Sequence, residues 1–285
     1  MSDDGGLGRY VDDWSPSAVT VRDVISPQRA HDVATTLDLD HDIVEGCPLP
    51  PLWQWAYFLD RIPTSALGPD GHPREAHFLP PIPNRRRMFA GGQSTVISPL
   101  VVGEPAVRRS EVVAPTVKQA RTGELLFVTV RHEYFQHNEL RVTEEQDLVY
   151  RSDAGNSTTF SRVTESLGPQ TTSWAAIPET TPVLLFRFSA LTGNAHRIHY
   201  DETYTTRVES FPALVVHGPL LAIYMAELAR ANVGPVRTFD FRLKRPMFLG
   251  DRIRVQGVPQ DDHESAALAI VSGSDAVHAT ASATF

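Results

Sequence analysis

Cysteine is all but missing from this chain: Cys47 stands alone among 285 residues. No intrachain disulfide can form, and a metal site built on several thiolates is excluded. No apolar run reaches the roughly 20 residues needed to cross a bilayer. The nearest, Phe211 to Ala229, is broken by His217, Gly218, Pro219 and Glu227. The opening, Met1-Ser2-Asp3-Asp4-Gly5-Gly6, has no basic residues leading into an apolar core, so it does not read as a secretory signal. An excess of positive charge is lacking too. Lys and Arg number 26 against 34 Asp and Glu, a net charge of −8. A general nucleic-acid binder usually carries the opposite sign, although a local basic pocket is compatible with this balance. The expectation is a soluble, cytoplasmic protein with neither nucleic acid nor membrane as a partner.

Apolar residues make up 41% and charged residues 21%, ordinary globular usage that argues against disorder. At roughly 150 residues per domain the length suggests two units. Ser26-Pro27 opens a helix, a capping serine followed by proline at the first helical position, with Ala30, Val33 and Leu37 at helical spacing. Pro48 to Asp60 reads as a second helix, apolar nearly all round and therefore buried. Ile62 to Asn84 is rich in Pro and Gly and reads as a long loop, a type that is often functional or mobile. Thr95–Ile97, Val107–Val113, Leu125–Glu133 and Glu139–Tyr150 are rich in β-branched and aromatic residues and read as antiparallel strands.

The second half repeats this order: a helix over Pro219–Ala231, then strands over Arg237–Leu243, Asp251–Val258, Ala266–Ser272 and Ala276–Phe285. Pro99-Leu100-Val101-Val102-Gly103-Glu104 matches Pro246-Met247-Phe248-Leu249-Gly250-Asp251, about half the chain away. Both run Pro, three apolar residues, Gly, acid, and the glycine suits a turn that needs positive φ. A duplication follows, with residues 1–151 as the first half, a polar linker over 152–181 and residues 182–285 as the second half. In each half a sheet can wrap around its helix so that both bury an apolar face.

The segment densest in chemistry is Phe186 to Asp201, with two His, two Arg, one Asn, one Asp and one Tyr. Its residues admit four readings. His196-x-x-His199-x-Asp201 offers two imidazoles and a carboxylate to a metal, but no fourth ligand is identifiable. A nucleophilic triad needs an activated Ser or Cys, yet Gly-x-Ser-x-Gly does not occur and Cys47 sits in a Gly-Cys-Pro turn. A plain polar loop with surface histidines is the third. General acid–base chemistry by His199 is the fourth and preferred one, since imidazole titrates near neutrality.

Thr192-Gly193-Asn194-Ala195-His196-Arg197-Ile198-His199 resembles the Ser/Thr-Gly-Asp-x-Asn-Pro-Ile-His signature of MaoC-like, type 2 enoyl-thioester hydratases. The surrounding stretch is more similar still to the branch that holds 3-methylfumaryl-CoA (mesaconyl-CoA) hydratases and mitochondrial 3-hydroxyacyl-thioester dehydratases. Pro50-Pro51-Leu52-Trp53, Leu67-Gly68-Pro69-Asp70-Gly71-His72-Pro73, Arg86-Arg87-Met88-Phe89-Ala90-Gly91-Gly92 and Thr143-Glu144-Glu145-Gln146-Asp147 extend the likeness to roughly Leu49–Phe285.

The resemblance implies an α+β double hotdog, two antiparallel sheets each wrapped around a long central helix, with the catalytic motif in the second half and the substrate side in the first. It implies a hydro-lyase acting at the double bond of an enoyl-CoA or acyl-carrier thioester, with a dicarboxylic one such as mesaconyl (3-methylfumaryl)-CoA as a candidate, and no cofactor beyond the coenzyme A of the substrate. His199 is then the acid or base, and Gly218, at the start of the second helix, holds the thioester carbonyl by its amide. Asn194 stands where the family has aspartate; an amide orients water but takes no proton. Gly193 replaces an aromatic residue of the close branch. Arg197 replaces the family's proline, either to pair with a substrate carboxylate or to form an ion pair with Asp201 or Glu202. Arg85, Arg86 and Arg87, with Lys244 and Arg245, are candidates for the coenzyme phosphates, with a solvated face as the alternative. Hotdog proteins often dimerise, so a homodimer is expected. A hotdog thioesterase and a non-catalytic acyl-thioester binding module are the competing functions.

Overall fold

A computed structural model of the chain describes residues 6–41, 43–82, 86–120, 123–151, 160–260, 264–274 and 276–285. Strand β1 (Val19–Val24) leads into helix α1 (Pro27–Thr36), which starts where the sequence places it: Ser26 Oγ accepts a hydrogen bond from Arg29 N, and Pro27 occupies the first turn. Four long strands follow, β2 (Arg86–Val96), β3 (Pro105–Ala120), β4 (Gly123–Gln136) and β5 (Glu139–Arg151). The second part carries β6 (Trp174–Ala176), helices α2 (Pro182–Thr192), α3 (Glu202–Arg207) and α4 (Gly218–Asn232), then β7 (Thr238–Leu243), β8 (Ile253–Pro259), β9 (Ser265–Ser272) and β10 (Ala276–Thr284). The short strand β6 falls within the stretch expected to be linker and pairs with β8. Among the described residues no helix is long and apolar enough to cross a membrane.

All ten strands join one sheet in the order β1-β3-β4-β5-β2-β7-β10-β9-β8-β6, every pair antiparallel. The halves meet at β2 and β7, with Ser94 opposite Phe239 and Gly92 opposite Phe241. The second-half sheet curls over α4. Phe239, Phe241, Leu268, Ile270, Val255 and Ala279, Ala281 and Ala283 of β10 are buried in one core with Leu220, Ile223, Met225 and Ala226 of that helix.

The first half departs from the expected plan. Among the described residues no long helix crosses its sheet; Pro48 to Asp60 forms only a 3₁₀ turn at Trp53–Ala56. Three prolines interrupt the start of the segment, and Leu52 (φ 70°) and Phe58 (φ 53°) are left-handed, so helical dihedrals cannot propagate on either side. The expected burial holds, since Leu52, Trp53, Ala56, Tyr57 and Phe58 are all enclosed. Side-chain bonds anchor the turn: Trp53 Nε1 donates to Glu227 of α4 (2.9 Å), and Gln54 and Trp55 donate to Glu144 of β5 (3.0 and 2.6 Å).

The matched hexapeptides occupy equivalent places. Val101 bridges Pro48 just before the 3₁₀ turn, and Phe248 bridges Val215 just before α4. Gly103 (φ 95°) and Gly250 (φ 84°) make the two corners, and both need the left-handed backbone that glycine adopts without strain. The turn at Trp53–Ala56 is thus the first-half counterpart of α4.

Candidate functional site

Helix α2 carries the chain toward the site. Thr181 Oγ1 accepts from Leu184 N at its start, and Gly193 (φ 64°) ends it in the left-handed conformation. Gly193 is therefore a helix terminator. A side chain there would be strained by the backbone, and its Cβ would rest 3.7 Å from Leu59. Asn194 Oδ1 then accepts the amide of His196 at 3.0 Å, turning the chain into the 3₁₀ turn Arg197–His199. Asp201 caps α3 by accepting Tyr204 N at 2.9 Å.

The buried His199 is fixed in one tautomer. Its Nδ1 lies 2.8 Å from the carbonyl oxygen of Val215; a carbonyl only accepts, so Nδ1 carries the proton and Nε2 keeps its lone pair. Burial pulls its pKa down to about 4, against an upward contribution from that hydrogen bond. Its ring stacks on His217 at 3.7 Å between centroids and 18° between planes, and meets His196 edge-on at 5.5 Å.

His217 is the residue before Gly218, so His199 lies beside the beginning of α4. Gly218 provides the first amide of the helix, which has no intrahelical acceptor. A Cβ at Gly218 would clash with Leu243 Cδ1 and lie 3.5 Å from Phe89 Cδ1. His217 is fully buried, with Nε2 2.8 Å from Ser189 Oγ and, among the described residues, no hydrogen-bond partner for Nδ1. Burial drives its pKa far down, and the same cause takes His196 to about 2, helped by the neighbouring His72 and His199.

The first half contributes as well, through a stretch quoted above only for its family likeness. The loop 67–73 docks on the Arg197–His199 turn: Arg197 N donates to Asp70 O (2.8 Å), Arg197 Nη1 donates to Pro69 O (2.9 Å), and a Cβ on Gly71 would run into Ala195 O. His72 bonds Asp70 through Nδ1 (2.9 Å) and rests 4.0 Å from the His196 ring. Among the described residues Asp70, His72 and His196 are the group whose ligand atoms lie close enough, within 4.8 Å, to hold a metal ion. The Asp70–His72 bond already partners two of them. The ligand set His196, His199 and Asp201 does not assemble, because Asp201 is held by Tyr204 N and by Arg197 while His199 Nδ1 faces Val215.

A cavity of about 1550 Å³ joins these groups: His199, Asn194, His196, His72 and Gly218 line it, as do Arg87, Lys244 and Arg245. Leu243, which approaches Gly218, directly precedes Lys244, and Arg87 lies two residues from Phe89, so the three cations stand near the helix start. Arg85 and the side chain of Arg86 lie outside the described residues. Arg197 is not among the lining residues. Its guanidinium binds Asp201 (2.7 Å) and Pro69 O and lies 4.1 Å over the Tyr204 ring, which is the ion-pair alternative of the sequence reading. These contacts use three of its five N–H donors, two of them on Asp201.

Comparison with known proteins gives a consistent picture. The family model for hydroxyacyl-thioester dehydratase type 2 matches residues 52–249. The chain is 42% identical to mesaconyl-C(4)-CoA hydratase of Chloroflexus aurantiacus over 251 residues, 87% of this chain and 89% of the relative. A MaoC-like dehydratase from Phytophthora capsici superposes with a TM-score of 0.70 at 13% identity, covering 99% of both chains. A Mycobacterium tuberculosis protein with a double hotdog fold gives 0.58 at 15% identity, covering 96% of this chain and 97% of its own. The last two establish the shared fold.

Proposed function

The chain belongs to the hydroxyacyl-thioester dehydratase type 2 family, and from that premise we propose that it adds water to, or removes it to form, the α,β double bond of an enoyl thioester of coenzyme A. The observation that carries the reading is a neutral imidazole, His199, held by Val215 O with its Nε2 lone pair unpartnered among the described residues, beside the helix-start amide of Gly218 in one cavity. Water loses a proton to Nε2 as its oxygen bonds to the β-carbon. The alkene electron pair moves toward the thioester oxygen, where the Gly218 amide and the positive end of α4 stabilise the developing charge. The protonated Nε2 then returns the proton to the α-carbon, so atoms and charge balance over the cycle.

Asn194 takes a narrower part than a carboxylate would. Its Oδ1 is engaged by His196 N, which leaves the Nδ2 protons to hold the water oxygen. Lys244, Arg245 and Arg87 are assigned to the coenzyme phosphates, supported by their lining the cavity close to the helix start. The reading includes no resident cofactor, a cytoplasmic location and a homodimer of the kind hotdog proteins often form. Replacement of His199 by Ala is expected to lower turnover of an enoyl-CoA by at least about a hundredfold, read from loss of the enoyl absorbance. Turnover within tenfold of wild type removes His199 from the chemistry, and thiol release without hydration moves the enzyme to the thioesterases.

A further inference from the structure

The proposed chemistry leaves one buried titratable side chain without a task. His217 is fully buried at the start of α4, and among the described residues its Nδ1 has no hydrogen-bond partner. An orphaned nitrogen inside a protein is costly, and an aliphatic side chain of similar size would fill the same space without that cost. The imidazole therefore supplies something that an aliphatic group does not.

Its surroundings show what that is. Nε2 lies 2.8 Å from Ser189 Oγ, the Phe188 ring meets the imidazole at 4.9 Å and 61°, and His199 covers one face at 3.7 Å and 18°. Phe188 and Ser189 are both buried on α2, the helix that leads to Asn194 and on to His199. One element thus pins the ring and delivers the base that rests on it. On its C-terminal side His217 continues into Gly218, the first residue of α4. A single residue touches the imidazole of His199 with its side chain and adjoins the amide assigned to the thioester carbonyl.

His217 is also held neutral. Burial drives its pKa well below the usual value, and His199 and His196, the titratable groups acting on it, push the same way. The positive end of α4 likewise opposes a charge there. His199 has the opposite need, since it becomes an imidazolium when it takes the proton of water, in surroundings whose burial disfavours charge. The face of a neutral aromatic ring attracts a cation, most strongly where water is excluded.

We propose that His217 is a positioning residue for hydration: its neutral ring, pinned by Ser189 and Phe188, is the platform that orients His199 and stabilises the imidazolium as it forms. The proposal rests on the hydratase reading and adds the group behind the base. No proton passes through His217, so the proton balance of the cycle is unchanged.

The test compares two double variants, Ser189→Ala with His217→Phe and Ser189→Ala with His217→Leu. Both lose the Ser189–His217 pair, and they differ in whether a flat ring lies against His199. The readouts are kcat and KM on an enoyl-CoA that wild type hydrates, with Tm beside them. The Leu version is expected to turn over about 10- to 100-fold more slowly than the Phe version, the effect of losing a desolvated cation–ring contact together with orientation, at similar KM and Tm. Equal kcat in the two overturns the platform. Nitrogen NMR of histidine-labelled wild type provides a second reading that needs no variant to fold. The His217 ring is expected to stay neutral from about pH 8 down to 5, and a ring that gains a proton within that range overturns the proposal. If wild type hydrates no enoyl-CoA at all, the hydratase reading falls; if it does and the two variants match, only the platform falls.

Discussion

A free imidazole is half protonated near pH 6.5, which makes it a poor base in acid and a mixed population at neutrality. His199 escapes this through burial and through the carbonyl of Val215, which fixes where its one proton resides. If the neutral form is the active base, as proposed, kcat/KM for hydration is expected to rise with pH through a midpoint of about 4 and to be flat across neutrality. A pH–rate profile taken in brief assays checks this; an acid limb centred at 6.5 or above contradicts it. Asn194 and Gly218 became candidates through the likeness of their motifs to a family signature, and His199 through its own titration chemistry as well; all three line one cavity. His72 lay in a stretch quoted only for its family likeness and His217 beside a quoted helix start, neither read as a site residue, while Arg108 lay in no motif. His72 and Arg108 reach the cavity through contacts made far along the chain, and His217 was hidden in plain view as the residue before a helix start.

At the level of elements, the loop 67–73 shows how a stretch rich in Pro and Gly acquires a fixed shape. Gly71 sits at φ 90° with its Cα against the carbonyl of Ala195, so any side chain there must push the loop off the catalytic turn. Gly71→Ala is expected to lower kcat/KM by about tenfold or more, since small misplacements of catalytic groups are costly, while shifting Tm only slightly. Thermal melts run beside kinetics separate this from general unfolding, and a variant with normal kinetics shows that the docking is dispensable. β3 to β5, β7 to β10 and α4 were legible because alternation and helical spacing are local properties, whereas β1, β6, α2 and all but the end of β2 were not read. The first-half helix was misread for an instructive reason. Its apolar residues are buried as the pattern required, yet burial there is enforced by Glu227 and Glu144 reaching in from other elements, while the prolines and left-handed residues veto the helix.

Across the whole molecule the buried histidines share one electrostatic habit. His132 and His199 are both held neutral, with pKa values near 4 against 6.5 in the unfolded chain. Between those values the unfolded state binds more protons, so stability rises with pH through that window and is complete above 6.5. Lowering the pH from 7 to 4 is expected to cost on the order of 3 kcal/mol for each, seen as a falling Tm. A Tm that stays level over the same range refutes it. The substitution His132→Gln should flatten part of the slope.

The seam between β2 and β7 makes the halves a single continuous sheet, and the twin corners at Gly103 and Gly250 mark them as copies. Among the described residues only the second copy carries a long helix at this place, and a 3₁₀ turn stands in the first. The cavity between them draws much of its wall from first-half strands that carry none of the residues assigned to the reaction. Inherited changes in those walls can therefore alter which molecules are admitted without disturbing how they are transformed, so relatives with this layout should differ most in diet and least in chemistry.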